Sequence, residues 1–177
     1  TMFRDVGRLL ASVSRQGYRG EGKLIQATIK VFHDHCGNLG LALPGRAFCV
    51  RCHSTIPRQV GLAGSSAIVT ATLRALMAFF DVTIAREEQA NLILSAEVEE
   101  LGIPAGLQDR VVQVYEGLVF MDFSRDLMED RGYGRYESLE PSILPRMFVA
   151  HRTTSSRASG IALGELLRRW ESGDRET

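Results

Sequence analysis

The apolar positions of this chain change period several times, and each change marks an element. Val6, Leu9, Leu10 and Val13 fall on one side of a helix tail over residues 1–15, which Gly17, Gly20 and Gly22 break. Leu24, Ala27, Thr28, Val31 and His35 trace one face of a helix over 23–36, with Gly37 placed as its C-cap. The period then shortens: Phe48, Val50 and Cys52 alternate with Ala47, Cys49 and Arg51, which predicts a strand over 46–55. Pro57 and Gly61-Leu62-Ala63-Gly64 read as a loop, and Ser65-Ser66 open a strong helix to about Phe80.

Two more helices are predicted over 85–101, ended by Gly102 and Pro104, and over 105–117. Residues 118–123 and 147–151 read as strands, and a last helix spans 159–170. No internal repeat or linker divides the chain, so residues 1–177 are expected to form a single domain of α+β class.

Composition narrows the partners. The 177 residues are 45% hydrophobic and 24% charged, the balance of a globular protein with a real core. Lys plus Arg and Asp plus Glu both number 21. No global basic field exists for nucleic acid or an anionic membrane, which points to a small-molecule partner. The best apolar stretch, 67–80, is short and carries Thr70, Thr72 and Arg74, so no membrane span is expected. Arg4, Asp5 and Arg8 leave no apolar block for a signal peptide, and Cys36, Cys49 and Cys52 form no even framework. The cytoplasm is the expected compartment.

Residues 56–67 carry the first candidate chemistry. The predicted order is strand, glycine loop, helix start, and such a start presents free N–H groups and the positive end of a macrodipole to phosphate. Ser65 or Ser66 can cap the helix and offer a hydroxyl to Mg²⁺ or a phosphate oxygen. The same residues also suit an ordinary glycine turn with a serine cap. A Walker A loop is excluded, since no Gly-Lys-Ser/Thr follows.

The second candidate is the acidic run 97–110. A helix carrying Glu97, the turn Gly102-Ile103-Pro104-Ala105-Gly106 and a new helix near Asp109 can bring two carboxylates to one site. Glu99 and Glu100 read as a solvated helix end. Charge alone allows the same for Glu97, and for Asp109 a first-turn acid favoured by the dipole. Arg110 can orient a phosphate or a substrate carboxylate, or simply pair with a glutamate.

Pro57 followed by Gly61-Leu62-Ala63-Gly64-Ser65-Ser66-Ala67 resembles the second motif of the GHMP kinases, P-x3-G-L-x-G-S-S-A. The 97–110 run resembles their segment with an acidic metal ligand, a Gly-x-Pro-Ser/Ala-Gly turn and an aspartate. Gln108 is one residue more than the mevalonate-kinase form has, and Gly106-Leu107-Gln108-Asp109-Arg110 is similar to the sugar-acid kinases. Asn91-Leu92-Ile93-Leu94-Ser95-Ala96-Glu97, the run from Asp109 to Tyr115, Met121-Asp122-Phe123-Ser124, the helix from Ser159 to Trp170 and Gly173-Asp174 resemble the glucuronokinase family. The family's first and third motifs have no counterpart here.

That resemblance implies the N-terminal domain of GHMP kinases, ribosomal-protein-S5-domain-2-like and incomplete, with 159–177 leading toward a C-terminal domain. It implies that residues 61–67 wrap the ATP phosphates: Gly61, Leu62, Ala63, Gly64, Ser65, Ser66 and Ala67. Mg²⁺ is expected at Glu97 with Ser65 or Ser66, and Asp109 is expected to face the acceptor hydroxyl as the catalytic carboxylate. The implied reaction is ATP-dependent phosphorylation of D-glucuronate at its anomeric hydroxyl. A kinase for another sugar, or a non-catalytic phosphate-binding remnant, are the alternatives.

Other patterns are weighed as packing or surface. Cys49-Val50-Arg51-Cys52-His53 spells the haem-attachment pattern CxxCH but lies in the alternating stretch. His33, His35 and Cys36 with Cys49, Cys52 and His53 match no standard zinc spacing, and His33 and His35 point to different sides of a helix. The polar 153–156 run reads as a solvated loop, and Trp170 as a packing residue.

Overall fold

The structure is a computed structural model and describes residues 5–57, 60–151 and 159–173, with backbone only at 159, 160 and 162. The 153–156 run, Arg58, Gln59 and Asp174 lie outside the described residues. The elements run α1 (Val6–Gln16), α2 (Lys23–Asn38), α3 (Gly64–Phe80), α4 (Arg86–Val98), α5 (Leu107–Tyr115), β1 (Leu118–Asp122), α6 (Arg125–Arg131) and β2 (Arg135–Leu139). A 3-10 turn (Pro141–Ile143) and α7 (Ser159–Glu171) follow. Helix dominates, and β1 and β2 pair antiparallel from Leu118↔Leu139 to Asp122↔Arg135.

The apolar faces of the first five helices make one core. Leu9 and Val13 of α1, Val31 and Phe32 of α2, Val69, Leu73 and Phe80 of α3, Ile93 and Ala96 of α4, and Val111 and Val114 of α5 are all buried. Phe32 stacks on Phe80 with centroids 5.8 Å apart, and Phe48 meets Phe80 edge-on at 5.9 Å. α1 begins under a side-chain cap, Asp5 Oδ1 accepting from Arg8 N at 2.8 Å.

Glu100, expected to be solvated, is a junction instead. Its two carboxylate oxygens accept from Tyr18 Oη at 2.5 Å and Lys30 Nζ at 2.6 Å, and Lys30 also donates to Asp34 at 2.9 Å. The end of α4 is thereby tied to α2 and to the loop after α1. Burial and then the Glu100 carboxylate push the Tyr18 phenol well above the ordinary tyrosine range. The bond to Glu100 also raises Lys30.

Three sequence expectations are corrected. No strand forms over 46–55: Phe48 packs on Phe79 and Phe80, while Cys49 and Cys52 stay exposed and, among the described residues, no neighbouring strand completes a ladder. Residues 147–151 are likewise not a strand, and Phe148 is 98% exposed. β1 pairs instead with 135–139, across α6. That hairpin depends on Gly134, where a Cβ would stand 2.3 Å from the Asp122 carbonyl oxygen. Finally, α2 runs through Gly37 to Asn38, and Leu39 N rather than Gly37 closes it on the His35 carbonyl.

Burial sets the expected stability differences. Phe32→Ala should lower the unfolding free energy by about 3–5 kcal/mol, the range for truncating a buried aromatic. Phe148→Ala should change it by less than about 0.5 kcal/mol. Urea unfolding of both variants checks the contrast.

Candidate active site

The links 81–85 and 99–106 are short, so α3, α4 and α5 alternate in direction as they pack. α3 and α5 therefore run the same way. Arg74, past the middle of α3, confirms the pairing by donating to the carbonyl oxygens of Val114 at 2.8 Å and Gln113 at 3.4 Å, at the end of α5. Its Nη1 also bonds Glu116 at 2.6 Å and holds that carboxyl below the usual range. The start of α3, the end of α4 and the start of α5 consequently share one end of the three-helix layer. Pro104, in the α4–α5 turn, also meets α7: it lies 3.3 Å from where a Cβ on Gly164 would stand.

At that end the loop before α3 turns twice through left-handed backbone. Gly61 has φ 80°, which glycine adopts freely. Ala63 has φ 50° and ψ 33°, a conformation with a steric cost for an L residue. Ala63 is the N-cap, and no side chain caps the helix start, so the expected serine cap does not form. The reason is geometric: α3 starts at Gly64, one residue early, which puts both serines inside the first turn. Ser66 is buried, its Oγ donating back to the Ala63 carbonyl at 2.9 Å, while Ser65 is exposed. Among the described residues, a Cβ on Gly64 would meet only Ile56 Cγ2 at an ordinary 3.5 Å, so their packing does not demand glycine there.

Across from the loop, Glu97 closes α4 and is fully buried. Arg110 Nε donates to Glu97 Oε2 at 2.9 Å, and Nη2 bonds the same oxygen. Glu97 Oε1 has no hydrogen-bond partner among the described residues. Arg110 Nη1 donates to the Gly106 carbonyl at 3.0 Å and lies 3.5 Å from Asp109 Oδ2. Asp109 occupies the first turn of α5, where the macrodipole favours negative charge, and its side chain is 55% exposed. Arg110 is only 5% exposed, and each guanidinium nitrogen already has a protein partner. A substrate anion would have to displace one of them. The pairing of Arg110 with a glutamate is thus the observed one.

Arg74 was not singled out in the sequence, and an isolated arginine inside a helix gives no signal of what it caps. The Glu97 charge was legible, but its burial was not. Among the described residues no three His, Cys, Asp or Glu side chains cluster as a metal group, and no helix is long and apolar enough to cross a membrane.

The uncapped glycine loop before α3 and the Glu97–Arg110–Asp109 group between α4 and α5 lie in a domain of packed helices with one small antiparallel sheet. The chain belongs to the GHMP kinases, whose N terminal domain matches residues 23–117. It is 43% identical to the probable glucuronokinase 2 and 41% identical to glucuronokinase 1 of Arabidopsis thaliana, each over 97% of its length. A D-glycero-alpha-D-manno-heptose 7-phosphate kinase of Campylobacter jejuni is 32% identical over 77 residues, 44% of this chain and 23% of that protein. The chain spans about half the length of the two plant relatives, 47% and 48%. No solved structure matches it.

The two serines should separate in a thermal or urea unfolding series. Ser66→Ala removes a buried hydroxyl bond and should cost about 1 kcal/mol. Ser65→Ala, at an exposed position, should stay within about 0.5 kcal/mol of the wild type.

Proposed function

We propose that the chain carries the phosphate-binding loop and the catalytic carboxylate of an ATP-dependent sugar-acid kinase, with D-glucuronate as acceptor and D-glucuronate 1-phosphate as product. The observation that carries this reading is the convergence of the α3 start with Glu97 and Asp109 at one end of three helices. The chain's similarity to two proteins named glucuronokinases supplies the acceptor. The parent acts in the cytoplasm, a placement supported by three unpaired cysteines.

In this reading the N–H groups of residues 61–67 hold the β- and γ-phosphates, with the strained Ala63 turn aiming them before the nucleotide arrives. The absence of a side chain at Gly64, which the neighbouring Ile56 would accommodate at ordinary contact distance, supports close backbone approach by a phosphate. Asp109 orients the anomeric hydroxyl and accepts its proton. The sugar oxygen forms its bond to the γ-phosphorus as the bond from that phosphorus to the β-bridging oxygen breaks, releasing ADP. Most of the rate comes from positioning and charge stabilisation.

A divalent cation fits the donor set. Glu97 Oε1 is a buried carboxylate oxygen without a donor among the described residues, and such an oxygen is costly unless something positive meets it. Glu97 and the exposed Ser65 hydroxyl are the groups that would hold Mg²⁺, with Ser66 the inner alternative. Bound there, Mg²⁺ would neutralise phosphate charge.

Two variants of the full-length parent test the reading. Gly64→Ala should leave the unfolding midpoint unchanged and weaken Mg-ATP binding about tenfold or more in calorimetry, as losing a charged hydrogen bond does. Asp109→Asn should cut turnover by about 10²-fold or more, the scale of a positioned acid-base group, with ATP affinity retained. Near-normal turnover in Asp109→Asn would favour a non-catalytic phosphate-binding role.

A further inference from the structure

We infer that Arg110 is a positioning residue that fixes Glu97 and tethers Asp109 with one planar guanidinium, a role that rests on the kinase reading above. The fork has three nitrogens pointing in fixed directions. Nε and Nη2 both take Glu97 Oε2, Nη1 takes the Gly106 carbonyl at the cap of α5, and the same Nη1 lies 3.5 Å from Asp109 Oδ2. One residue therefore binds the last turn of α4, the cap of α5 and the first-turn aspartate.

The consequences for Glu97 are specific. Both arginine bonds converge on Oε2, so the carboxylate is turned with Oε1 free. The neighbouring positive charge makes a fully buried carboxylate tolerable without occupying that second oxygen. Glu97 Oε1 is sealed from solvent, so its neighbours must part before a cation can reach it, while the arginine keeps the carboxylate oriented, as outer partners of metal ligands do. Asp109 is held differently, through one long contact, and its half-exposed side chain stays open to an acceptor hydroxyl. Arg110 is thus rigid toward the metal side and loose toward the substrate side.

A lysine cannot reproduce this. Its ammonium keeps the charge but is a point donor, unable to meet Glu97 twice while also reaching the Gly106 carbonyl. The three proteins to compare are therefore the wild type, Arg110→Lys and Arg110→Met, each in the full-length parent.

The main readout is Mn²⁺ affinity for the ADP complex, followed by electron paramagnetic resonance, which does not depend on turnover. Arg110→Met should weaken Mn²⁺ by about 10–100-fold, the range for losing an outer partner of a metal ligand, and Arg110→Lys should fall between it and the wild type. Steady-state kinetics should show kcat reduced while KM for glucuronate stays near the wild-type value, because Arg110 donates nothing to the sugar. Wild-type Mn²⁺ affinity in both variants, with the wild-type enzyme active, would overturn the role of Arg110 alone. So would a KM rise with kcat intact, which would return Arg110 to substrate binding. A wild-type parent without glucuronate-dependent ATP turnover would instead sink the kinase reading. Should the methionine variant fail to fold, Arg110→Lys carries the same comparison, and an unchanged Mn²⁺ affinity in it overturns the proposal.

Discussion

Short links between long helices leave the chain little choice of direction, and everything at the candidate site follows from that restriction. Five residues separate α3 from α4 and eight separate α4 from α5, so each helix must reverse on its predecessor. Reversal places two helix starts and one helix end side by side. The two starts contribute partial positive charge and free N–H groups, and the end contributes a glutamate. The opposite end is closed by Arg74, which donates to carbonyl groups at the end of α5 that have no partner within their own helix. One end of the layer is therefore closed by Arg74, while at the other the α3 start has no side-chain cap and Asp109 stays half exposed.

Packing and electrostatics divide the labour at that open end. The apolar face formed by Val69, Ile93, Ala96 and Val111 fixes the helices against one another. Within that frame, Glu97 and Arg110 are both almost wholly enclosed. A buried pair of this kind contributes little net stability but tolerates few alternative arrangements, since removing one partner strands the other. The Tyr18–Glu100–Lys30 junction anchors the same end of α4 from outside, with partially exposed groups and correspondingly weaker energetics.

Helices were the legible part of the sequence because their evidence is local. The apolar positions of α2, α3 and α5 recur within a turn or two, and Gly102 and Pro104 bound α4, which closes at Val98, three residues before the expected Leu101. Strands were poorly legible because pairing is not local. Phe48, Val50 and Cys52 alternate well, yet alternation becomes a strand only beside a partner, and no described residue pairs with that segment. Arg135 and Glu137 look like surface residues in isolation, but they lie opposite Asp122 and Phe120 in the hairpin. Its signals were Ser124 before the seven-residue α6 and the glycines at 132 and 134. At the site, the glycine loop and the identities of Glu97 and Asp109 were readable. The buried fork from Arg110 to Glu97 was not, because spacing along the chain says nothing about which of four nearby acids an arginine will choose.

Ala63 also limits which sequences this loop can tolerate. With φ of 50°, it occupies a region open to glycine, asparagine and aspartate and nearly closed to branched side chains. Valine, isoleucine or threonine there would push the backbone out of the left-handed turn and shift the start of α3. Glycine would relieve the steric cost but give the unfolded loop more conformations to lose, and would let the folded one wander. A single methyl group at position 63 is therefore a compromise between strain and freedom, and the range of substitutions the loop can absorb during drift is correspondingly narrow.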